Sequence, residues 1–191
     1  MSSGSRSLID RMTRAARLDS RLYEEVEADE TALPQALLVV VIANICLGIG
    51  SALGVLLVPG VVVSGLVFLW ALLWWVFGGI IGWLIWSLIV YGIGVIIFKG
   101  PETETDYGEL LRTIGFSASP GVIGILSLIP FIGWLIRLGV WIWMLVAMVI
   151  AVRQALDFGT GRAIGTVIVG FLVMVALLWA VGAILGLAFL F

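Results

Sequence analysis

No histidine occurs anywhere in the chain, and cysteine occurs once, at Cys46. The first absence removes the usual general base near neutral pH and the commonest metal ligand. The second rules out a disulfide or a thiolate zinc site within one copy. Charge is scarce as well, with Asp, Glu, Lys and Arg making up 12% of residues. No GxSxG, no HExxH and no glycine loop followed by Lys and Ser/Thr is present. From these absences we expect no catalytic site, no metal and no cofactor, and hence a non-enzymatic protein.

What fills the chain instead is apolar. Hydrophobic residues account for 62% of the sequence and the mean hydropathy is +1.24, a balance that a water-soluble domain of this size has no interior to hide. Five apolar runs stand out, at about 33–57, 66–98, 110–130, 133–152 and 163–190. A bilayer core of roughly 30 Å needs about 20 helical residues. The expectation is an all-α polytopic membrane protein with five transmembrane helices (residues 32–191), preceded by a polar segment (1–31) containing short amphipathic helices. The second run exceeds an upright span, so it must tilt, kink or break at Gly78-Gly79.

Charge fixes the count and the orientation. With five spans and the N-terminus inside, Arg6, Arg11, Arg14, Arg17, Arg21, Lys99, Arg112, Arg153 and Arg162 fall on the inner side and Arg137 alone on the outer. Splitting the second run would scatter them across both faces, so the positive-inside bias favours five spans with the C-terminus outside. The N-terminal stretch is polar and the first apolar run too long for a signal-peptide core, so the first span is expected to remain in the mature protein.

Leu8, Met12, Ala15 and Ala16 recur at helical spacing among Arg11, Arg14 and Arg17, the pattern of a basic amphipathic helix able to rest on anionic headgroups. Asp19 or Ser20 then caps a second helix bearing Leu22, Tyr23 and Val26. Together with Arg112, Arg137, Arg153 and Arg162, those three arginines are the candidate headgroup or partner contacts. Trp70, Trp74, Trp75, Trp134, Trp141 and Trp143 suit an outer interfacial belt. The acidic stretch Glu102, Glu104, Asp106 and Glu109 reads as a solvated loop.

Small residues four apart, Gly50 and Gly54, Gly78 and Gly82, Gly161 and Gly165, and Gly182 and Gly186, are candidate helix-packing positions, because close backbone approach is what holds helices together in lipid. Gly115 and Pro120 join them as a hinge in the third span, where Ser117 and Ser119 can bond carbonyls freed by the proline. No Asp, Glu or Lys lies centrally in a span, which leaves a poor inventory for ion coupling. The expected partners are membrane lipids and a membrane protein or a second copy, with no nucleic acid. The alternative is a passive channel or carrier, which would require Asn44, Ser87, Tyr91 and Thr166 to face one cavity.

The segment Leu110-Leu111-Arg112-Thr113-Ile114-Gly115-Phe116-Ser117-Ala118-Ser119-Pro120 resembles the Gly-aromatic-Ser, Pro-containing segment of the Yip (Ypt-interacting protein) domain family. The likeness extends from about Pro34 to the C-terminus and includes Arg153-Gln154-Ala155-Leu156 before the last span. It implies a five-span membrane protein, and the short N-terminal segment is similar to prokaryotic members, implying a prokaryotic cytoplasmic membrane. Eukaryotic members are implicated in Rab GTPase interaction, but the Asp-Leu-Tyr-Gly-Pro-type segment that would extend this expectation does not stand here.

Overall fold

A computed structural model describes residues 7–57, 62, 64–99, 105–129 and 131–188. The described residues are helical with no strand: α1 (Leu8–Ala16), α2 (Ser20–Ala28), a 3₁₀ turn at Glu30–Ala32, α3 (Leu33–Leu56), α4 (Gly65–Ile96), α5 (Tyr107–Ser117), a 3₁₀ segment at Ser119–Leu128, α6 (Gly133–Ala155) and α7 (Thr160–Ala188). Five stretches are long and apolar enough to cross a membrane, the third being α5 continued by the 3₁₀ segment.

That composite third span is the centre of the bundle: 72% of an 18-residue apolar stretch of it is buried, against 11% for the corresponding stretch of α7 at the periphery. Its change of helix type has a local cause. Pro120 has no N–H to give to Phe116, four residues back. The orphaned Phe116 carbonyl accepts instead from the Ser119 hydroxyl at 2.7 Å, and Ser117 donates to Ile114 O at 2.7 Å. The 3₁₀ rise of about 2.0 Å per residue then carries the ten-residue segment further than an α-helix would. Glycines let α3 come close on this side. A Cβ on Gly115 would lie 2.8 Å from Ala36 Cβ, one on Gly121 2.9 Å from Ala43 Cβ, and one on Gly50 would strike the Gly124 carbonyl.

The second run is neither kinked into two helices nor broken at Gly78-Gly79: α4 is a continuous helix of 32 residues, about 48 Å at 1.5 Å per residue. Its half nearer α5 packs into the bundle through Trp83, Ser87, Val90 and Ile93. Its other half, with Trp70, Trp74 and Phe77, is exposed. Gly79 meets Asn44 of α3, whereas a Cβ on Gly78 or Gly82 would meet nothing.

The polar N-terminal segment is part of the bundle and not a separate unit. Ala15, Leu22, Tyr23 and Val26 are fully buried in the same apolar core as Ala36, Leu110, Val152 and Leu156, and Leu8 and Met12 pack against it. Leu18, between α1 and α2, adopts the left-handed conformation (φ 62°). The Asp19 N–H reaches back to Arg14 O at 3.1 Å, closing α1 with a Schellman-type turn.

Candidate functional site: the polar cap and the opposite end

At the polar end of the bundle, α2 covers α5 and α6, and α1 lies against α5 and the 3₁₀ segment. The covering is electrostatic as well as apolar. Arg11, only 6% exposed, donates to Asp29 Oδ2 at 2.7 Å, Gln35 Oε1 at 3.0 Å and Glu25 Oε1 at 3.3 Å. Arg14 donates to Glu25 Oε2 at 2.8 Å and Asp19 Oδ2 at 2.9 Å. Arg112, also 6% exposed, reaches from α5 to the end of α2. There it donates through Nε to Val26 O at 3.0 Å and through Nη2 to Glu27 O. A guanidinium at a helix C-terminus meets both the unsatisfied carbonyls and the negative end of the dipole. Gln154 of α6 donates to Glu24 Oε1 at 2.6 Å, and Trp143 Nε1 to Ala16 O at 2.8 Å.

Arg11 and Arg112, two of the candidate headgroup or partner contacts, are buried and donate to the chain's own acceptors. Arg14 is half-buried and likewise paired. Arg17, Arg137 and Arg162 are exposed with no ion pair among the described residues, and half-buried Arg153 donates to Gln154 Oε1. Asp106 and Glu109 form a capping box at the start of α5, each side chain accepting from the other's backbone N–H. They are structural, and Arg6, Glu102 and Glu104 lie outside the described residues.

The cap holds two groups with strongly displaced pKa values, and burial pushes the phenol of one of them, Tyr23, well above its ordinary value. Burial at the end of α2, reinforced by the nearby charges of Asp157 and Glu109, raises Glu27 to about 7, with Arg112 opposing and Glu24 adding to the shift. Asp29 is lowered by its hydrogen bonds from Thr31 and Arg11, and Asp19 chiefly by that from Arg14. A raised folded-state pKa adds stability that is full below the unfolded value near 4.5 and is lost as pH rises through about 7. The depressed carboxylates act in a lower window and add stability that is lost only as pH falls below the ordinary aspartate range. Corrected hydrogen exchange in α2 should therefore accelerate from pH 5 to pH 8, and Glu27→Gln should flatten that dependence.

The small-residue positions divide into two sets. Gly50, Gly54, Gly115 and Gly165 face other elements, Gly165 meeting the Phe98 ring, and Pro120 is buried. Gly78, Gly82, Gly161 and Gly182 face open space. The surroundings of Gly186 lie outside the described residues.

Two of the four polar residues expected to line a cavity spend their side-chain donors locally. Asn44 donates to Val40 O at 2.8 Å and Thr166 to Arg162 O at 2.9 Å, each within its own helix. Ser87 is fully buried, and the Tyr91 ring meets Tyr107 edge-on at 6.2 Å. The Ser87 hydroxyl has no hydrogen-bond partner among the described residues, whereas the deeper indoles are satisfied within the chain, Trp83 by Leu111 O at 3.1 Å and Trp86 by Met148 Sδ at 3.0 Å.

Five apolar spans around a Pro-broken central helix define an integral membrane protein of helical-bundle type. The Yip1 domain family model matches residues 19–185, and the chain belongs to that family. The match begins at Asp19, upstream of the Pro34 at which the sequence likeness starts, and so takes in α2, the helix that Arg112 holds. No curated protein and no solved structure matches the chain.

Proposed function

We propose that the protein is a non-enzymatic scaffold, lipid-organising element or accessory subunit that associates laterally with a membrane protein or a second copy of itself, in the cytoplasmic (inner) membrane of a prokaryote, with the polar cap on the cytoplasmic side. The observation that carries this reading is the division of labour among the spans. α3, α5 with its 3₁₀ continuation, and the cap form a closed core, while α7 and the far half of α4 hold most of their surface outward. Gly78 and Gly82 on α4 and Gly182 on α7 have room beside them, and small residues on an exposed face allow another helix to approach closely. A channel or carrier reading has less support, since Asn44 and Thr166 spend their side-chain donors within their own helices.

The test is purification in mild detergent, with the mass of the assembly measured for the parent and for Gly78→Leu/Gly82→Leu. The larger side chains fit open space, so thermal stability should match the parent while a stoichiometric complex or dimer is lost. A parent that is strictly monomeric and, alone in proteoliposomes, supports saturable solute uptake would replace this reading with the carrier.

A further inference from the structure

The end of the bundle opposite the polar cap carries a charge with no ion pair among the described residues. The sequence has no Asp or Glu from Thr31 to Pro101, from Leu110 to Leu156, or after Asp157. Arg137, one turn into α6, is the basic residue at this end among the described residues, and it is exposed. Beside it a cleft of about 350 Å³ opens between the end of α3, the end of the 3₁₀ segment and the start of α6. Arg137 lines it, together with Trp134, Phe131, Ile129, Ser51 and Ser127.

Two of those residues are chemically unfinished. The hydroxyls of Ser51 and Ser127 are shielded from solvent and have no hydrogen-bond partner. Ser127 is only 3% exposed. A buried hydroxyl without a partner is destabilising, and native structures nearly always supply one. The backbone around Ser127 is crowded by glycines, with a Cβ on Gly54 falling 3.3 Å from Ser127 O and one on Gly133 striking the same carbonyl. Phe131, 95% exposed, is held in the left-handed region (φ 66°), a costly conformation for an aromatic residue.

We propose that this cleft is a binding site for one phospholipid with a net-negative phosphodiester headgroup. The phosphodiester meets Arg137, the Ser51 and Ser127 hydroxyls donate to oxygens of the headgroup and ester region, and the acyl chains leave over Ile129, Phe131 and Trp134. Charge complementarity selects the occupant, because no Asp or Glu side chain lies at this end and the surrounding leaflet offers phosphate. The two hydroxyls select a ligand with acceptors just below its charge, which a glycerol ester provides and a purely apolar molecule does not. The proposal does not rest on the scaffold role: lipid retention and partner association are read separately, and either can fail alone.

The test uses the full chain in neutral detergent, with phosphatidylglycerol, phosphatidylcholine of the same acyl chains, and glycerol phosphate as probes. Retention is read by native mass spectrometry and stability by thermal unfolding. The parent should retain one phosphatidylglycerol in preference to phosphatidylcholine. Arg137→Gln should weaken that retention by about tenfold or more, while Lys99→Gln, at an exposed position of the other end, leaves it unchanged.

Ser127→Ala separates a ligand role from a structural one. Removing an unpartnered buried hydroxyl should leave the lipid-free melting temperature equal or higher, while phosphatidylglycerol retention falls. Equal retention by the parent and Arg137→Gln, equal retention of the two lipids, or competition by glycerol phosphate as effective as by the lipid would each overturn the proposal.

Discussion

Arg112→Leu is expected to detach α2 from the bundle while the five spans stay folded. The guanidinium is buried and spends its donors on Val26 O and Glu27 O. Leucine fills similar space but donates nothing, which leaves two carbonyls at the end of α2 without partners. Each hydrogen bond from a charged group contributes about 1.5–3 kcal/mol, and the loss of both should destabilise α2 by about 3–6 kcal/mol. Amide exchange in α2 should then accelerate by roughly a hundredfold or more. Arg112→Lys should fall between the two, because a single ammonium does not reproduce the fork of donors. Unchanged exchange in α2 for Arg112→Leu would mean that Leu22, Tyr23 and Val26 hold the helix by burial alone.

The second large effect is expected at Gly50. An alanine there would place its Cβ against Gly124 O, 2.6 Å from Ser127 Oγ and 3.0 Å from Ile125 O. Two of those three obstacles are backbone of the 3₁₀ segment, which a side-chain rotation cannot move aside. Overpacking of this kind costs about 1–3 kcal/mol, and for a chain of this size the melting temperature should fall by roughly 3–10 °C. Gly78→Ala is the matched control, since that position meets nothing and its melting temperature should equal the parent's. Two variants with the same melting temperature would show that α3 does not depend on this contact.

The spans were legible because lipid imposes a length and a composition on each, and charge parity settled their number. Their ends were less so. α5 begins at Tyr107 and not at Leu110 because Asp106 and Glu109 form a capping box, a spacing present in the sequence but masked by the neighbouring acidic residues. The proline hinge was readable locally, since Ser119 and Pro120 are adjacent and the bond that replaces the lost one is three residues long.

The arginines were the opposite case. Helical spacing marked Arg11 and Arg14 as one face of an amphipathic helix. Nothing local indicated that this face turns toward Glu25, Asp29 and Gln35, or that Arg112 closes on a helix more than eighty residues earlier. The glycine spacings had the same limit, because four-residue intervals mark a shared helix face but not what lies against it. Gly50 and Gly54 meet the central span and Gly78 and Gly82 meet open space. The cleft at Arg137 was half visible, as a lone cation among tryptophans. Its two serines became part of it only when α3 and the 3₁₀ segment came together.

Sided labelling tests the five-span account most directly. In a Cys46→Ala background, single cysteines at Thr105, in the loop before α5, and at Gly159, between α6 and α7, belong to the same end as the cap, and one at Val62, between α3 and α4, to the other. An impermeant maleimide applied to sealed vesicles should modify Val62→Cys from the outer face only, and Thr105→Cys and Gly159→Cys from the cytoplasmic face only. Labelling of Thr105→Cys and Val62→Cys from the same face would contradict the account.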